Sequence, residues 1–127
     1  MTAFRDQVIA ALMRDEYPLL GAVTVDAPDG IDASVWHDGW QVMCWVTCSE
    51  TWTEADAAVT LLSDRLFEMR ANPTGQYLML DVCGVVCVPD GAMFLPLVEY
   101  ADKQGIAVWM FDGQVFKELD VDEGGEA

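Results

Sequence analysis

The run Trp40-Gln41-Val42-Met43-Cys44-Trp45-Val46 is apolar at nearly every position. A strand with one face in water alternates apolar and polar residues, so a strand without that alternation is expected to be covered on both faces. Two similar runs follow. One is Tyr77-Leu78-Met79-Leu80-Asp81-Val82, continued after Gly84 by Val85-Val86-Cys87-Val88, and the other is Ile106-Ala107-Val108-Trp109-Met110-Phe111. Segments of helical periodicity separate them. Strands that alternate with helices predict an α/β fold, here a mixed β-sheet with helices packed against it.

The helix between the first two runs has the clearest pattern. Trp52, Ala55, Val59, Leu62, Leu66 and Met69 step by three and four, and Glu54, Asp64 and Glu68 fall largely off that stripe. Thr51 and Glu54 have the spacing of a capping box, and Asn72-Pro73-Thr74-Gly75 closes the helix. A second helix is expected after the turn Pro89-Asp90-Gly91, with Asp90 as N-cap, Pro96 near its first turns and Gly105 at its C-terminus.

Upstream, Phe4, Val8, Ala11 and Leu12 predict an amphipathic helix over residues 3–16, ended by Tyr17-Pro18. A loop with a short strand at 22–25 follows. Then His37-Asp38-Gly39 joins a strand at 33–36 to the first buried run as a hairpin. After the third run, Asp112-Gly113 leads into a short helix holding Val115, Phe116 and Leu119. Residues 120–127 form an acidic, glycine-rich tail expected to fray. The chain reads as a single domain over residues 1–127, made of an N-terminal helical extension (1–20), a core (32–119) and the tail.

Of 127 residues 53% are hydrophobic, which excludes a disordered chain despite the charge. There are 22 acidic and 6 basic residues, for a formal net charge of −16. Such a chain repels nucleic acid and anionic membranes and is steered toward basic partners. The acids are spread along the chain, as expected of solubility or salt adaptation. Mimicry of nucleic acid, or inhibition of a basic enzyme, is the sharper alternative. No apolar stretch reaches membrane-spanning length, and the first residues lack a secretory pattern, so a cytoplasmic location is expected.

Several side chains invite chemistry. Cys44/Cys48 and Cys83/Cys87 share a C-x3-C spacing, but on a strand residues four apart are ~13 Å apart, too far to chelate one zinc ion. Buried, reduced thiols are the expectation, and two cysteines from adjacent strands meeting remains open. His37 beside a turn is expected to be solvated, with general-base catalysis as the alternative. Asp81 and Asp90 are both read at strand C-terminal ends, where α/β folds often place ligands. The tryptophans are read as core, with a partner-facing tryptophan as the alternative. No phosphate-cradling glycine loop is present, and neither cofactor nor metal is expected.

The stretch from Leu80 through Asp81, Gly84, Val85-Val86-Cys87-Val88 and Pro89-Asp90-Gly91 to Met93 resembles the central signature of STAS domains, the anti-sigma-factor antagonist family. Ala101-Asp102-Lys103-Gln104-Gly105-Ile106-Ala107-Val108-Trp109 looks like the family's helix end and next strand. In order of elements the resemblance covers residues 32–119, and in detail residues 80–109. It implies a non-enzymatic regulatory module whose regulatory serine, phosphorylated by a kinase-like anti-sigma factor, begins the helix. Here that place falls at Gly91, preceded by Asp90, so the phosphorylation switch is missing or altered. Asp90 imitates a phosphoserine only in part, since a carboxylate carries less charge. The N-terminal helix is an addition to the family pattern.

The expected function is therefore protein binding without catalysis, through Pro89, Asp90, Gly91, Met93 and Phe94, with a kinase-like anti-sigma factor or a basic enzyme as partner. An acidic inhibitor (an immunity protein, a phage anti-defence protein or a nucleic-acid mimic) is the second reading. A small enzyme using Asp81 or a cysteine is the third.

Overall fold

A computed structural model of the chain describes residues 3–12, 22–25, 30–37, 42–72, 81–89, 91–114 and 116–119. The elements run α1 (Phe4–Leu12), β1 (Ala22–Val25), β2 (Ala33–His37), β3 (Val42–Cys48), α2 (Trp52–Ala71), β4 (Asp81–Val88), α3 (Gly91–Lys103), β5 (Ile106–Phe111) and β6 (Phe116–Leu119). The strands form one six-stranded mixed sheet in sequential order, β1 to β6. β1, β2 and β3 form an antiparallel meander, β3, β4 and β5 are parallel, and β6 turns back against β5. The α/β architecture read from the sequence is the one observed.

The sheet is covered on both sides. α2 and α3 share one face, where Ala55, Val59, Leu62 and Leu66 of α2 and Leu97, Val98 and Ala101 of α3 pack over Met43, Trp45, Val82, Val86, Ile106 and Val108. α1 covers the other face, with Phe4, Val8, Ala11 and Leu12 over Val35, Cys44, Val46, Val85, Cys87 and Trp109. There Phe111 is stacked 4.7 Å from Phe116 and 6.4 Å from Phe4, centroid to centroid. Each such aliphatic or aromatic side chain withdrawn from water stabilises the fold by about 1.5–3 kcal/mol. α1, expected as an extension, thus supplies one of the two outer layers.

α2 begins as its sequence predicts. The Glu54 N–H donates to Thr51 Oγ1 (3.2 Å) and the Thr51 N–H donates to Glu54 Oε1 (3.3 Å). At its other end, the Arg70 guanidinium donates to the Val82 carbonyl at 3.0 Å and ties the helix to β4. The buried stripe differs at one position. Trp52, expected in the core, is 44% exposed, because it is the first residue of α2 and the buried stripe starts one turn later, at Ala55.

Two elements differ from expectation. The buried strand read at 77–82 with a break at Gly84 is one continuous strand, β4, that starts at Asp81 and passes through Gly84; residues 73–80 lie outside the described residues. Gly84 sits inside the strand because helix α2 and strand β5 press on it. A Cβ there would lie 2.8 Å from Ile106 Cδ1, 3.2 Å from Leu66 Cδ1 and 3.3 Å from Leu62 Cβ. The segment expected as a short C-terminal helix is strand β6. Gly113 at φ 105° and the Asp112 carboxylate, which accepts the Gln114 N–H at 2.8 Å, reverse the chain so that Phe116 pairs with Phe111. The three-residue step from Phe116 to Leu119 imitates helical spacing, but in β6 the two residues serve opposite faces. Residues 13–16 of the first expected helix, the turn at 38–41 and the tail lie outside the described residues.

The close approach at Gly84 is testable. Gly84→Ala is expected to lower unfolding stability by about 1–3 kcal/mol in urea titrations, as overpacking does. Combined with Ile106→Val, which removes the nearest atom, the pair should cost less than the sum of the single changes.

Candidate functional site

β3, β4 and β5 point the same way, so their carboxyl ends share one edge of the sheet. The residues expected to bind a partner lie there. Pro89 is exposed directly after the fully buried Val88, and α3 begins at Gly91. The backbone of Met93 and Phe94 belongs to the first turn of α3, with Pro96 exposed in the second. Asp90, its capping role, and the side-chain directions of Met93 and Phe94 lie outside the described residues.

The β3–α2 corner adjoins this one. The Ser49 N–H donates to the Cys87 carbonyl at 2.9 Å, extending the parallel ladder one residue past β3 and holding the two strand ends together. Trp52 projects from the same corner. Both crossover helices lie on one face and the strand order does not reverse, so among the described residues there is no crevice of the kind that separates oppositely placed helices. Instead a cleft of about 410 Å³ opens between the start of β2, the end of β3 and α2, lined by Asp32, Thr47, Cys48, Ser49, Glu54 and Leu61 among others.

Asp32 organises this end. Its Oδ1 accepts from Arg5 Nε at 2.7 Å and its Oδ2 accepts the Cys48 backbone N–H at 2.7 Å. One carboxylate thereby joins α1, the approach to β2 and the end of β3. The hydrogen bond from Arg5, followed by charge attraction, raises the Arg5 guanidinium above its ordinary value. Sequence reading missed Asp32, Arg5 and the exposure of Trp52. Arg5 and Asp32 are 27 positions apart, so no local spacing relates them.

The cysteines all belong to the sheet face beneath α1. Cys44 pairs in register with Cys83 and Cys48 with Cys87. Of the open possibilities, a meeting across strands is realised at Cys44 and Cys83, whose sulfurs are 3.3 Å apart. Cys48 lines the cleft, but its thiol is pushed up to about 12, chiefly by burial and then by Asp32, while Arg5 acts in the opposite sense. At neutral pH it is protonated and a poor nucleophile. Asp81, read at a strand C-terminal end, is instead the first residue of β4 and exposed at the opposite edge. His37 ends β2 with its backbone paired to Val42; its side chain lies outside the described residues. Among the described residues, no three His, Cys, Asp or Glu side chains converge on a point that could hold a metal ion, and no helix is long and apolar enough to cross a membrane.

No protein-family model, curated protein or solved structure matches the chain.

Three outcomes follow from Asp32 and Cys48. Asp32→Ala should cost about 1–3 kcal/mol of stability, since it leaves the Cys48 N–H without its acceptor and unties Arg5 from the end of β3. Asp32→Asn should shift the alkylation profile of Cys48 to lower pH, because the carboxylate raises that thiol, with peptide mass spectrometry as the readout. The native state holds the Cys48 proton to about 12 against 9.0 for an ordinary thiol, so between those values it binds more protons than the unfolded chain. The contribution of Cys48 is fully present below pH 9.0 and lost as pH rises through about 12. Denaturation midpoints should fall across that window, and less steeply in Cys48→Ala.

Proposed function

We propose that the chain is a non-enzymatic regulatory module that acts by binding another protein through the carboxyl edge of its parallel strands. The observation that carries this reading is the juxtaposition of two strand-to-helix corners on that edge, each with an exposed residue: Pro89 at one and Trp52, 44% exposed, at the other. Pro89 follows a strand buried on two faces, and Trp52 opens α2 directly after the Thr51 cap. Tryptophan is enriched among the residues that dominate interface energetics, and a preorganised surface loses little entropy on binding.

The resemblance to STAS domains supports the same reading through element order. Hairpin, helix, strand, helix and strand occur in the order that the resemblance implies from β2 to β5, and on that resemblance the β4–α3 corner would correspond to the family's regulatory turn. A partner with a basic surface fits the net charge of −16, which would speed its encounter at low salt. On that resemblance the partner is a kinase-like anti-sigma factor, and Gly91 in the place of the phosphorylated serine makes the contact independent of phosphorylation. The acidic-inhibitor reading has one observation in its favour. Glu54, Asp56, Asp64 and Glu68 of α2 and Glu99 and Asp102 of α3 are exposed carboxylates on the two helices that share one face, while Asp6, Asp81, Asp112 and Glu118 are exposed elsewhere.

Affinity purification from the native host, with mass spectrometry, would identify the partner. Trp52→Ala and Asp90→Arg should each weaken its binding, Trp52→Ala by about 2 kcal/mol or more if it is a hot spot. Phe67→Ser, at a position 74% exposed near the far end of α2, should leave affinity unchanged. Wild-type affinity in both edge variants, with unaltered melting temperature, would remove the site from this edge. Capture of a basic enzyme whose activity the chain blocks in a strongly salt-dependent way would favour the inhibitor reading.

A further inference from the structure

β3 and β4 place the chain's four cysteines in two cross-strand pairs on one sheet face, Cys44 opposite Cys83 and Cys48 opposite Cys87. The pairs share a ladder, but their surroundings differ. The Cys44 and Cys83 sulfurs touch at 3.3 Å, and Cys83 is only half-buried, near the amino end of β4. Neighbouring strands lie about 4.8 Å apart, within the about 4.4–6.8 Å between Cα atoms that a disulfide spans. Cys87 is fully buried, and Cys48, half-buried at the cleft, lies beside Asp32, whose charge opposes its ionisation.

We propose that Cys44 and Cys83 form an oxidation site, a reversible cross-strand disulfide made when the protein meets a hydroperoxide. Cys83 is the attacking sulfur because it is the one open to solvent. Its thiolate cleaves the O–O bond of hydrogen peroxide and keeps one oxygen as a sulfenic acid. The other oxygen leaves as hydroxide and takes up a proton to become water. The Cys44 sulfur then displaces the sulfenic hydroxyl, which departs with the Cys44 proton as a second water. Two thiols lose two electrons and two protons, and one peroxide becomes two waters.

The contact also sets which thiol ionises first. In the dithiol Cys83 donates to Cys44. Once Cys83 has lost its proton the direction reverses, and the Cys44 S–H donates to the thiolate. That hydrogen bond draws the Cys83 thiol below its ordinary value against burial and the charges of Asp81 and Glu118, and pushes Cys44 up. Cys48 and Cys87 are both pushed up by burial, which keeps them out of the chemistry. Closing the sulfurs from 3.3 Å to the about 2.05 Å of a disulfide is a side-chain movement, since the strand spacing already suits the bond. The bond would form near the amino ends of β3 and β4, away from Pro89 and Trp52.

The test exposes the whole folded chain to hydrogen peroxide, removes the peroxide and reads the intact mass, then unfolds the chain in urea with iodoacetamide present and reads the proteolysed masses. The expected product is monomeric and two hydrogens lighter before blocking, and two of its four thiols then take up iodoacetamide. Fragmentation should locate the link between Cys44 and Cys83, and dithiothreitol added before blocking should restore the starting mass. Cys83→Ser should abolish the link while Cys48→Ala retains it, with melting temperature confirming that both fold. A cross-link that persists in Cys83→Ser overturns the proposal. So does conversion of Cys83 to sulfinic acid without a link, or a link that appears only after unfolding in urea.

Discussion

The parallel pairing of β3 with β4 is the constraint on which the remaining architecture rests. Parallel strands cannot be joined by a tight turn, so the chain between them must cross the sheet, and here it crosses as α2. The pairing sets Trp45 beside Gly84, the largest side chain against the absent one, on the face where α2 settles. On the opposite face the same register aligns the cysteines and leaves an apolar surface that α1 must cover. At its carboxyl end it brings the α2 and α3 corners side by side. A one-residue slip would move the cysteines to the α2 face and set a Cβ-bearing residue where Gly84 now admits Leu62 and Leu66.

Much of this was legible because it is local. The Thr51–Glu54 cap, the apolar stripe of α2, the Gly105 turn at φ 75° and the unbroken apolar runs of β3 and β5 follow from spacing alone. The failures have specific physical causes. Gly84 reads as a strand break because glycine usually weakens strands, but the space that it leaves is taken by α2 and Ile106. β6 reads as a helix because four residues are too few to separate a period of two from one of 3.6, and its pairing with β5 decides the matter.

The site was legible in outline only. The Pro89-Asp90-Gly91 turn marks a strand-to-helix corner, and α3 begins there. What surrounds it depends on contacts between distant positions. Asp32 is one carboxylate among 22 acidic residues, and only the fold shows that it fastens Arg5 to the end of β3. Trp52 fits the helical stripe by spacing, yet it lies one turn ahead of the buried segment. The cysteines show the same limit: their spacing excluded chelation within a strand, but which pairs face each other depends on register between strands.

The sequential order of the strands has a consequence for how the chain reaches this structure. Every strand pairs with its immediate neighbour in sequence, so no pairing has to wait for a segment made much later. The longest closures are the two helical crossovers, and lengthening a loop adds only slowly to its entropy. Contacts that are mostly short in sequence favour rapid folding. The antiparallel pairs β1–β2–β3 and β5–β6 close over short stretches, and the parallel pairings through β4, the longest closures, join them into one sheet. Local opening would start at β1 and β6, with the doubly covered centre released last.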